Sequence, residues 1–211
     1  MDGNEAARNS DWRDGFLFVG NHVALDFVNT RPAPNGEPVE LLLDFSAVLR
    51  WFQAAGLLSA REAARLRQQW GESARARRTV ETMQELRERL RKEILRWQQE
   101  GEIHHATVEE INKLLAEHPM RTRLSKGEGG AEIESWFEIK SPEGLFAPLA
   151  SSAADLFVQA DRSRVRKCDN CVLLFYDTSK KGTRRWCSMQ LCGNRLKVAA
   201  YAARKKQTKA G

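Results

Sequence analysis

The strongest constraint in this sequence is the placement of its four cysteines, which all lie near its C-terminal end. Cys168 and Cys171 form a CxxC pair, and Cys187 and Cys192 form a second pair after an intervening loop. Each pair can supply two thiolates from one tight turn, and the loop lets the two turns face each other around a tetrahedral Zn²⁺ ion. The spacing therefore predicts a structural Cys₄ zinc site.

Two other uses of these cysteines are open from the count alone. A redox dithiol needs one CxxC motif, usually at the start of a helix in a βαβ unit, whereas the flanks here are basic and typical of a hairpin. Paired disulfides belong to secreted domains, and the polar N-terminus has no apolar segment of the kind found in signal peptides. Zinc is the interpretation that fits all four residues.

The spacing of the second pair predicts the local fold. Residues five apart on an α-helix are separated by about 500° of rotation, roughly 140° away from a common face. We therefore expect Cys187 in a turn before a helix and Cys192 in its first turn. The expected order is then strand, CxxC knuckle, hairpin, turn and helix, which is typical of a treble-clef or zinc-ribbon module. Its parts are an apolar strand (172–176), a turn (180–182) and a returning strand (184–186).

The run DTSKKGTRRWCSMQLCGNR, from Asp177 to Arg195, resembles the CGNR zinc finger, a family named for the tetrapeptide at residues 192–195. The resemblance covers about residues 164–204, although the first pair, CDNC, is more closely spaced than in many members. It implies a zinc-binding fold and a role in transcription regulation. We also expect Trp186 to pack under the zinc site.

Charge is unevenly distributed along the chain. Residues 162–211 hold 14 Lys and Arg against 2 acidic residues, a balance of +12, whereas residues 1–161 have a balance of −6 within the total of +6. A compact basic module beside a mildly acidic one indicates a polyanionic partner, most often nucleic acid, bound through counterion release at phosphates. A solvated basic tail is the alternative that charge alone leaves open.

A helix that starts near Cys192 would present one cationic face, since 100° per residue places several polar side chains within an arc of about 100°. Such a helix fits the DNA major groove. The candidate nucleic-acid contacts are Arg184, Arg185, Asn194, Arg195, Lys197, Tyr201, Arg204 and Lys205. Asn194 and Arg195 adjoin a ligand, so a structural role beside the sulfurs is equally open for them. Asp177 is a candidate salt-bridge partner for Arg184 or Arg195.

The N-terminal part of the chain predicts a mostly helical domain. We expect disorder over residues 1–14, a short strand in GFLFVG (15–20) and a short helix over 21–29. That helix places His22, Asp26 and Asn29 on one face, where they could line a ligand pocket or serve as caps and solvent-facing groups. The segment FVGNHVALDFVNT, together with a later apolar helix and GLLS, resembles the ABATE domain over about residues 15–140, which brings no catalytic residues.

Cap and periodicity signals predict the remaining elements. An Asp44 N-cap and a Gly56 stop bound one helix, and Ser59 with Glu62 forms a capping box for the next. The longest helix is expected over 73–99, with a dimerising coil as the alternative to packing on the domain core. The last elements are a helix after a Thr107 capping box, a β-hairpin over 120–140 and a helix over 149–161.

Several functional classes lack support in the sequence. No apolar run approaches the roughly 18 residues that cross a bilayer, so we expect a cytoplasmic protein. No Walker loop, nucleophile elbow or HExxH motif occurs, and the three remaining histidines lack partners at metal or triad spacing. A closed Cys₄ zinc site also has no open position for substrate, so we predict no enzyme and no catalytic residues.

The sequence therefore predicts an α+β protein. Its parts are a mostly α-helical ABATE-like domain with a small β-hairpin (15–161), a treble-clef or zinc-ribbon-like CGNR module (162–206) and a flexible tail (207–211). The predicted cofactor is structural Zn²⁺, and the predicted function is DNA binding in transcription regulation, with double-stranded DNA as the partner. A protein-interaction adaptor with an acidic partner and an RNA-binding protein are the alternatives. A homodimer and a small-molecule effector of the N-terminal domain are left open.

Overall fold

The computed structural model of the chain describes residues 11–34, 36–127 and 129–193. Within these ranges the chain is mostly helical, with small antiparallel hairpins and a C-terminal cluster of cysteines. The predicted α+β class with a zinc-ribbon-like module is thereby confirmed. No helix in the described part of the chain is long and apolar enough to cross a membrane.

Side-chain caps explain where three of the helices begin. Asp44 accepts a hydrogen bond from the backbone N–H of Ala47 at 2.7 Å, and Ser59 and Glu62 form the predicted capping box. Ser73 caps the longest helix in the same way as Asp44. The described helices are α1 (Val23–Val28), α2 (Phe45–Ala54), α3 (Ala60–Trp70), α4 (Ala74–Glu100), α5 (His105–Glu117) and α6 (Phe146–Gln159).

Two predicted helix starts were wrong. Helix α5 begins at His105 and not after a Thr107 capping box, because the Glu93 carboxylate accepts the backbone N–H of His104 at 2.7 Å and so replaces a local cap. Helix α6 begins at Phe146, after a 3₁₀ turn over Pro142–Leu145, and not at residue 149. Pro148 is tolerated there because the first helical turn needs no N–H donor.

The apolar stripe of α4 faces the inside of its own chain. Its apolar residues recur at steps of three and four positions, and Val80, Met83, Leu86, Leu90, Ile94 and Trp97 are all at most 5% exposed. They lie in one core cluster with side chains of α1, α2 and α6. This stripe therefore packs on the domain core, as predicted, rather than forming the dimerising coil that was the alternative.

Three two-stranded antiparallel sheets are described: β1 (Trp12–Arg13) with β2 (Phe16–Leu17), β3 (Met120–Gly127) with β4 (Gly130–Phe137), and β5 (Val165–Lys167) with β6 (Leu174–Tyr176). The β3–β4 pair confirms the predicted hairpin. The prediction of disorder over residues 1–14 is wrong for 11–14, where Asp11 contributes two stabilising contacts. Its carbonyl accepts the Phe18 N–H at 2.8 Å, and its carboxylate accepts the Ser188 hydroxyl.

Two apolar cores result, and two strands are shared between them. The large core lies among the helices, and the small core surrounds the cysteines. Along β2, Phe16 faces the large core and Leu17 the small one. At β6, Leu174 and Tyr176 face the large core, while Phe175 and the preceding residue Leu173 face the small one. Successive side chains of a strand point to opposite faces, so one strand can serve both cores.

Candidate metal centre

The first cysteine pair lies in the connection between β5 and β6. Cys168 directly follows β5, and its backbone N–H donates to the Leu173 carbonyl at 2.9 Å, which closes the CxxC turn into a knuckle. The next residue, Asp169, donates its backbone N–H to the Arg185 carbonyl at 3.0 Å. This bond joins the knuckle to the segment that carries the second pair.

The second pair is arranged as the spacing predicts. Cys187 precedes a single π-helical turn over Met189–Gly193, and Cys192 lies within that turn. The Ser188 carbonyl accepts the N–H of Cys192 at 3.1 Å and that of Gly193 at 3.0 Å, which is an i→i+5 bond in the second case. Such wide turns are rare and are frequently found at functional sites. Here the turn brings Cys192 back toward Cys187, which an α-helix would not do.

The positions of the four sulfurs fit a zinc ion. The Sγ atoms of Cys168, Cys171, Cys187 and Cys192 all lie within 4.8 Å of one another. The Cys187 sulfur is 3.7 Å from that of Cys171 and 3.7 Å from that of Cys192. With Zn–S bonds of about 2.3 Å, neighbouring sulfurs of a regular tetrahedron are about 3.7–3.8 Å apart. The four thiolates therefore form the donor set of a structural Zn²⁺ ion, which confirms the predicted cofactor.

The four thiols lie so close together that they cannot all ionise unless a cation is bound between them. Hydrogen bonds from the Cys171 and Cys187 thiols hold the pKa of Cys168 far below its ordinary value. The same interaction raises the pKa of Cys171 to about 12 and that of Cys187 further still. One thiolate thus suppresses ionisation of its neighbours, whereas a bound divalent cation would let all four sulfurs carry negative charge together.

Asp177 organises the loop between the two cysteine pairs. It is fully buried, and its carboxylate accepts the backbone N–H of Ser179 at 2.9 Å and that of Arg184 at 2.7 Å. Burial alone would raise the pKa of Asp177, but these hydrogen bonds and the nearby Arg166 hold it below its ordinary value. The predicted salt bridge to Arg184 is not formed, because that guanidinium donates to the Trp186 and Cys187 carbonyls, and the alternative partner Arg195 lies outside the described residues.

The predicted returning strand over residues 184–186 is also wrong. β6 pairs with β5, which precedes the knuckle, so the hairpin of the module is formed by residues 165–176. Residues 184–186 run beside the knuckle and contribute the single Asp169–Arg185 backbone bond. The predicted turn at Gly182 is present: its N–H donates to the Ser179 carbonyl at 3.1 Å, with a φ of +60° that favours glycine.

Trp186 packs against the small core that contains the cysteines, as predicted. The guanidinium of Arg185 lies 5.8 Å from the centre of its ring, on the solvent side. A Cβ at position 193 would lie only 2.5 Å from the Sδ of Met189, which is too close, and 3.5 Å from the Trp186 indole, which is an ordinary contact. The glycine of the CGNR tetrapeptide therefore leaves room for the packing of Met189 and Trp186 beside Cys192.

Two of the four arginines predicted to contact nucleic acid lie in the described part of the chain, and their surroundings differ. Arg184 turns inward: its Nε donates to the Trp186 carbonyl at 2.7 Å, a second donor binds the Cys187 carbonyl, and its guanidinium lies over Phe175. Arg185 is exposed and forms an ion pair with Asp169 at 2.6 Å. The other predicted contacts lie outside the described residues: Asn194, Arg195, Lys197, Tyr201, Arg204 and Lys205.

The polar row on α1 is occupied by protein contacts. His22 is the N-cap of the helix and lies 3.3 Å from the Ser152 hydroxyl, and burial lowers the pKa of its ring. Asp26 accepts the backbone N–H of Gly20 at 2.7 Å, and burial raises its pKa to about 7. Asn29 binds both backbone groups of Leu174, each at 2.8 Å. The structure thus gives Asn29 a role between the cores, and the predicted ligand pocket stays a prediction.

Sequence reasoning missed several residues of the metal centre. Leu17 and Val19 lie in the small core with the cysteines, and Arg91 of α4 donates to the Val172 carbonyl beside the CxxC turn. The unbroken apolar run FLFV was the available signal for the first two, because a strand without polar residues indicates that both of its faces are buried. Arg91 carries no signal, since it lies among many charged residues of a long helix.

Comparison with known families divides the chain into two parts. Residues 21–160 match the family model ABATE, described as "Putative stress-induced transcription regulator". Residues 164–205 match the family model of the CGNR zinc finger. Both are regulator or zinc-finger families, and neither description names an enzyme. A search of curated proteins found no match.

Proposed function

Because the chain belongs to the ABATE family of regulators and carries a CGNR zinc finger, we propose that it regulates transcription by binding double-stranded DNA. The observation that carries this proposal is the charge division: residues 162–211 have a balance of +12, while the preceding part of the chain has a balance of −6. Four thiolates and one Zn²⁺ ion would add −2, which leaves the module strongly cationic. Phosphate backbones are the polyanions that such a module attracts most strongly.

Within the described residues, six cations of the zinc module fall into two groups, apart from Arg162, which binds carbonyls at the end of α4, and Arg185, which pairs with Asp169. Arg164, Arg166 and Arg184 donate to backbone carbonyls of the module, so they support its fold. Lys167, Lys180 and Lys181 are exposed, and none of them forms an ion pair with a described residue. Lys180 and Lys181 lie in the turn closed by Gly182, at a position from which flexible side chains can reach phosphates.

The proposed contact surface therefore consists of Lys167, Lys180, Lys181 and Arg185 together with the cationic stretch that follows the CGNR tetrapeptide. Arg184 is left out of it, because its donors bind carbonyls of the finger. The contribution of Lys197, Tyr201, Arg204 and Lys205 rests on the sequence pattern alone. In this proposal zinc has no chemical step to perform; the metal holds the two cysteine turns together so that the basic surface keeps one shape.

A fluorescence anisotropy titration of zinc-loaded protein with labelled duplex DNA of random sequence tests the proposal. We expect binding that weakens steeply with salt, by about 0.9 in the log–log slope for each phosphate neutralised. Replacing Lys180 and Lys181 with Glu should weaken binding and reduce that slope, and the pair Lys197→Glu and Arg204→Glu should do so more strongly. The pair Arg61→Glu and Arg65→Glu on the exposed side of α3 changes the net charge equally and serves as the control.

Competition separates the alternatives. Duplex DNA should displace the probe more effectively than duplex RNA of equal length, and the reverse order would favour RNA binding. Equal weakening by the α3 control pair would mean that net charge, not this surface, attracts the nucleic acid. Absence of binding at low salt with zinc fully loaded would refute the proposal and favour the adaptor with an acidic protein partner.

A further inference from the structure

The segment Asp11–Val19 lies outside both family matches, which cover residues 21–160 and 164–205, yet it packs directly on the zinc module. We propose that this N-terminal segment is a structural part of the metal centre and slows the release of Zn²⁺ from it. Leu17, Val19 and Asp11 are in this view positioning residues for the four cysteine ligands. None of them belongs to the group of four ligands.

The side chains of the segment alternate between the two cores. Phe16 is buried in the large helical core, and Phe18 packs against that core. Leu17 and Val19 are 5% and 3% exposed, and they share the small core with Cys168, Cys187 and Cys192. That small core has only seven buried side chains among the described residues. Four of these side chains are not cysteines, and the N-terminal segment supplies two of them, Leu17 and Val19.

Hydrogen bonds connect the same segment to the turn that carries Cys192. The Asp11 carboxylate accepts the hydroxyl of Ser188, and that hydroxyl oxygen also accepts the backbone N–H of Gln190 at 3.0 Å. The Ser188 carbonyl in turn accepts the N–H groups of Cys192 and Gly193. Asp11 therefore orients the residue from which the π-helical turn begins.

The two residues directly after the segment are attached to the strand that follows the knuckle. The Tyr176 N–H donates to the Gly20 carbonyl at 2.8 Å, and the Asn21 side chain donates to the Tyr176 carbonyl at 2.9 Å. The N-terminal part of the chain thus contacts both the turn of the second cysteine pair and the strand after the first. A local opening that exposes the sulfurs would have to break these contacts.

The physical reason is that the apolar shell around a metal site controls the access of water and of competing ligands. Zinc leaves a buried Cys₄ site after local opening, and the free energy of that opening depends on the packing and hydrogen bonds that it disrupts. Replacing Leu17 with Ala removes a large apolar side chain beside three cysteines and leaves space at that side of the site. Opening should then be more frequent, and zinc should leave faster.

The test compares two neighbouring residues of one strand in the full chain. Leu17→Ala changes the side that faces the cysteines, and Phe16→Ala changes the side that faces the helical core. Zinc transfer to an excess of a chromogenic chelator is measured well below the melting temperature of both variants. We expect transfer about tenfold faster for Leu17→Ala. The rate for Phe16→Ala should stay near that of the unchanged chain, even though its melting temperature falls by as much or more.

If Leu17→Ala fails to fold, a second pair of substitutions that disturbs the packing less tests the same proposal. Asp11→Ala removes the contact with Ser188, whereas Asp14→Asn removes an exposed ion pair with Arg50 of α2 and tolerates the positive φ of 47° at this position of the same hairpin. Asp11→Ala should speed zinc transfer several-fold, and Asp14→Asn should not. Unchanged transfer in Leu17→Ala, or equal acceleration within either pair, would overturn the proposal. Amide hydrogen exchange over residues 187–193 supplies a second readout and should rise only in the variants that speed zinc loss.

Discussion

The helical core and the metal centre of this protein reach stability by different means. Among the described residues the helical core contains 29 buried side chains, including Trp51 and several Phe and Leu residues. The small core has seven buried side chains, and three of these are cysteines. A core of that size buries too little apolar surface to offset chain entropy without a metal or a disulfide. The comparison indicates that burial stabilises the first region and that metal binding stabilises the second.

The largest expected effect is loss of the metal. Cys187→Ser removes the ligand whose sulfur lies 3.7 Å from two others, so we expect bound zinc to fall from one ion per chain to almost none. Structural zinc sites contribute apparent binding free energies of about 10–16 kcal/mol, so residues 165–193 should lose their protection against hydrogen exchange. Helix α2 should keep its protection.

Metal analysis and hydrogen exchange with mass spectrometry measure both parts of this prediction, and the exposed substitution Thr178→Ser is the control. Full zinc occupancy in Cys187→Ser would contradict the ligand assignment. Equal loss of protection in α2 would instead show that the two regions fold as a single unit.

The next effect should appear in the helical core. Leu49 is fully buried, and Leu49→Ala should lower the free energy of unfolding by about 2–5 kcal/mol, since it removes apolar contacts and leaves a cavity. Urea denaturation, monitored by circular dichroism, measures this free energy of unfolding. Leu43, at 73% exposure, is the matched control, and its replacement by Ala should change the same quantity by less than about 0.5 kcal/mol. Faster zinc release from folded Leu49→Ala would weaken the distinction between the two regions.

A smaller effect is expected at the contact between the cores. Asn29→Ala leaves the buried N–H and carbonyl of Leu174 without their side-chain partner, which should lower stability by about 1–3 kcal/mol. Strand β6 should then open without α1, and hydrogen exchange should show faster exchange in β6 than in α1. Asn21→Ala, which removes one exposed hydrogen bond to Tyr176, should have a smaller effect. Equal effects would mean that burial of the Asn29 contacts contributes little.

The smallest expected effect depends on pH. Burial raises the pKa of Asp26 to about 7, above its value in the unfolded chain, so the folded state holds its proton more tightly. Stability should therefore fall as pH rises toward 7, by about 1 kcal/mol between pH 6 and pH 8. Asp26→Asn keeps an oxygen acceptor for the Gly20 N–H and should flatten this part of the profile. Thermal unfolding at both pH values checks it, and an unchanged slope in Asp26→Asn would assign the dependence to other groups.

Local signals in the sequence predicted local features well. The caps at Asp44 and Ser59, the apolar stripe of α4 and the β3–β4 hairpin are all present, because each depends on residues a few positions apart. Prediction failed where a distant residue replaced a local one. Glu93 supplies the cap that moved the start of α5, and β5 took the place of residues 184–186 as the partner of β6.

The sequence by itself determined the zinc ligands. The spacing of the cysteines within each pair is a local property of the sequence, and the unequal charge of the two parts is likewise a property of composition. Only the tertiary structure decided that Arg184 points inward, that Asn29 joins β6 to α1, and that Leu17 faces the cysteines while Phe16 faces the helices. The reason is distance along the chain: Asn29 and Leu174 are separated by 145 positions, and no local pattern specifies which buried surface a side chain will meet.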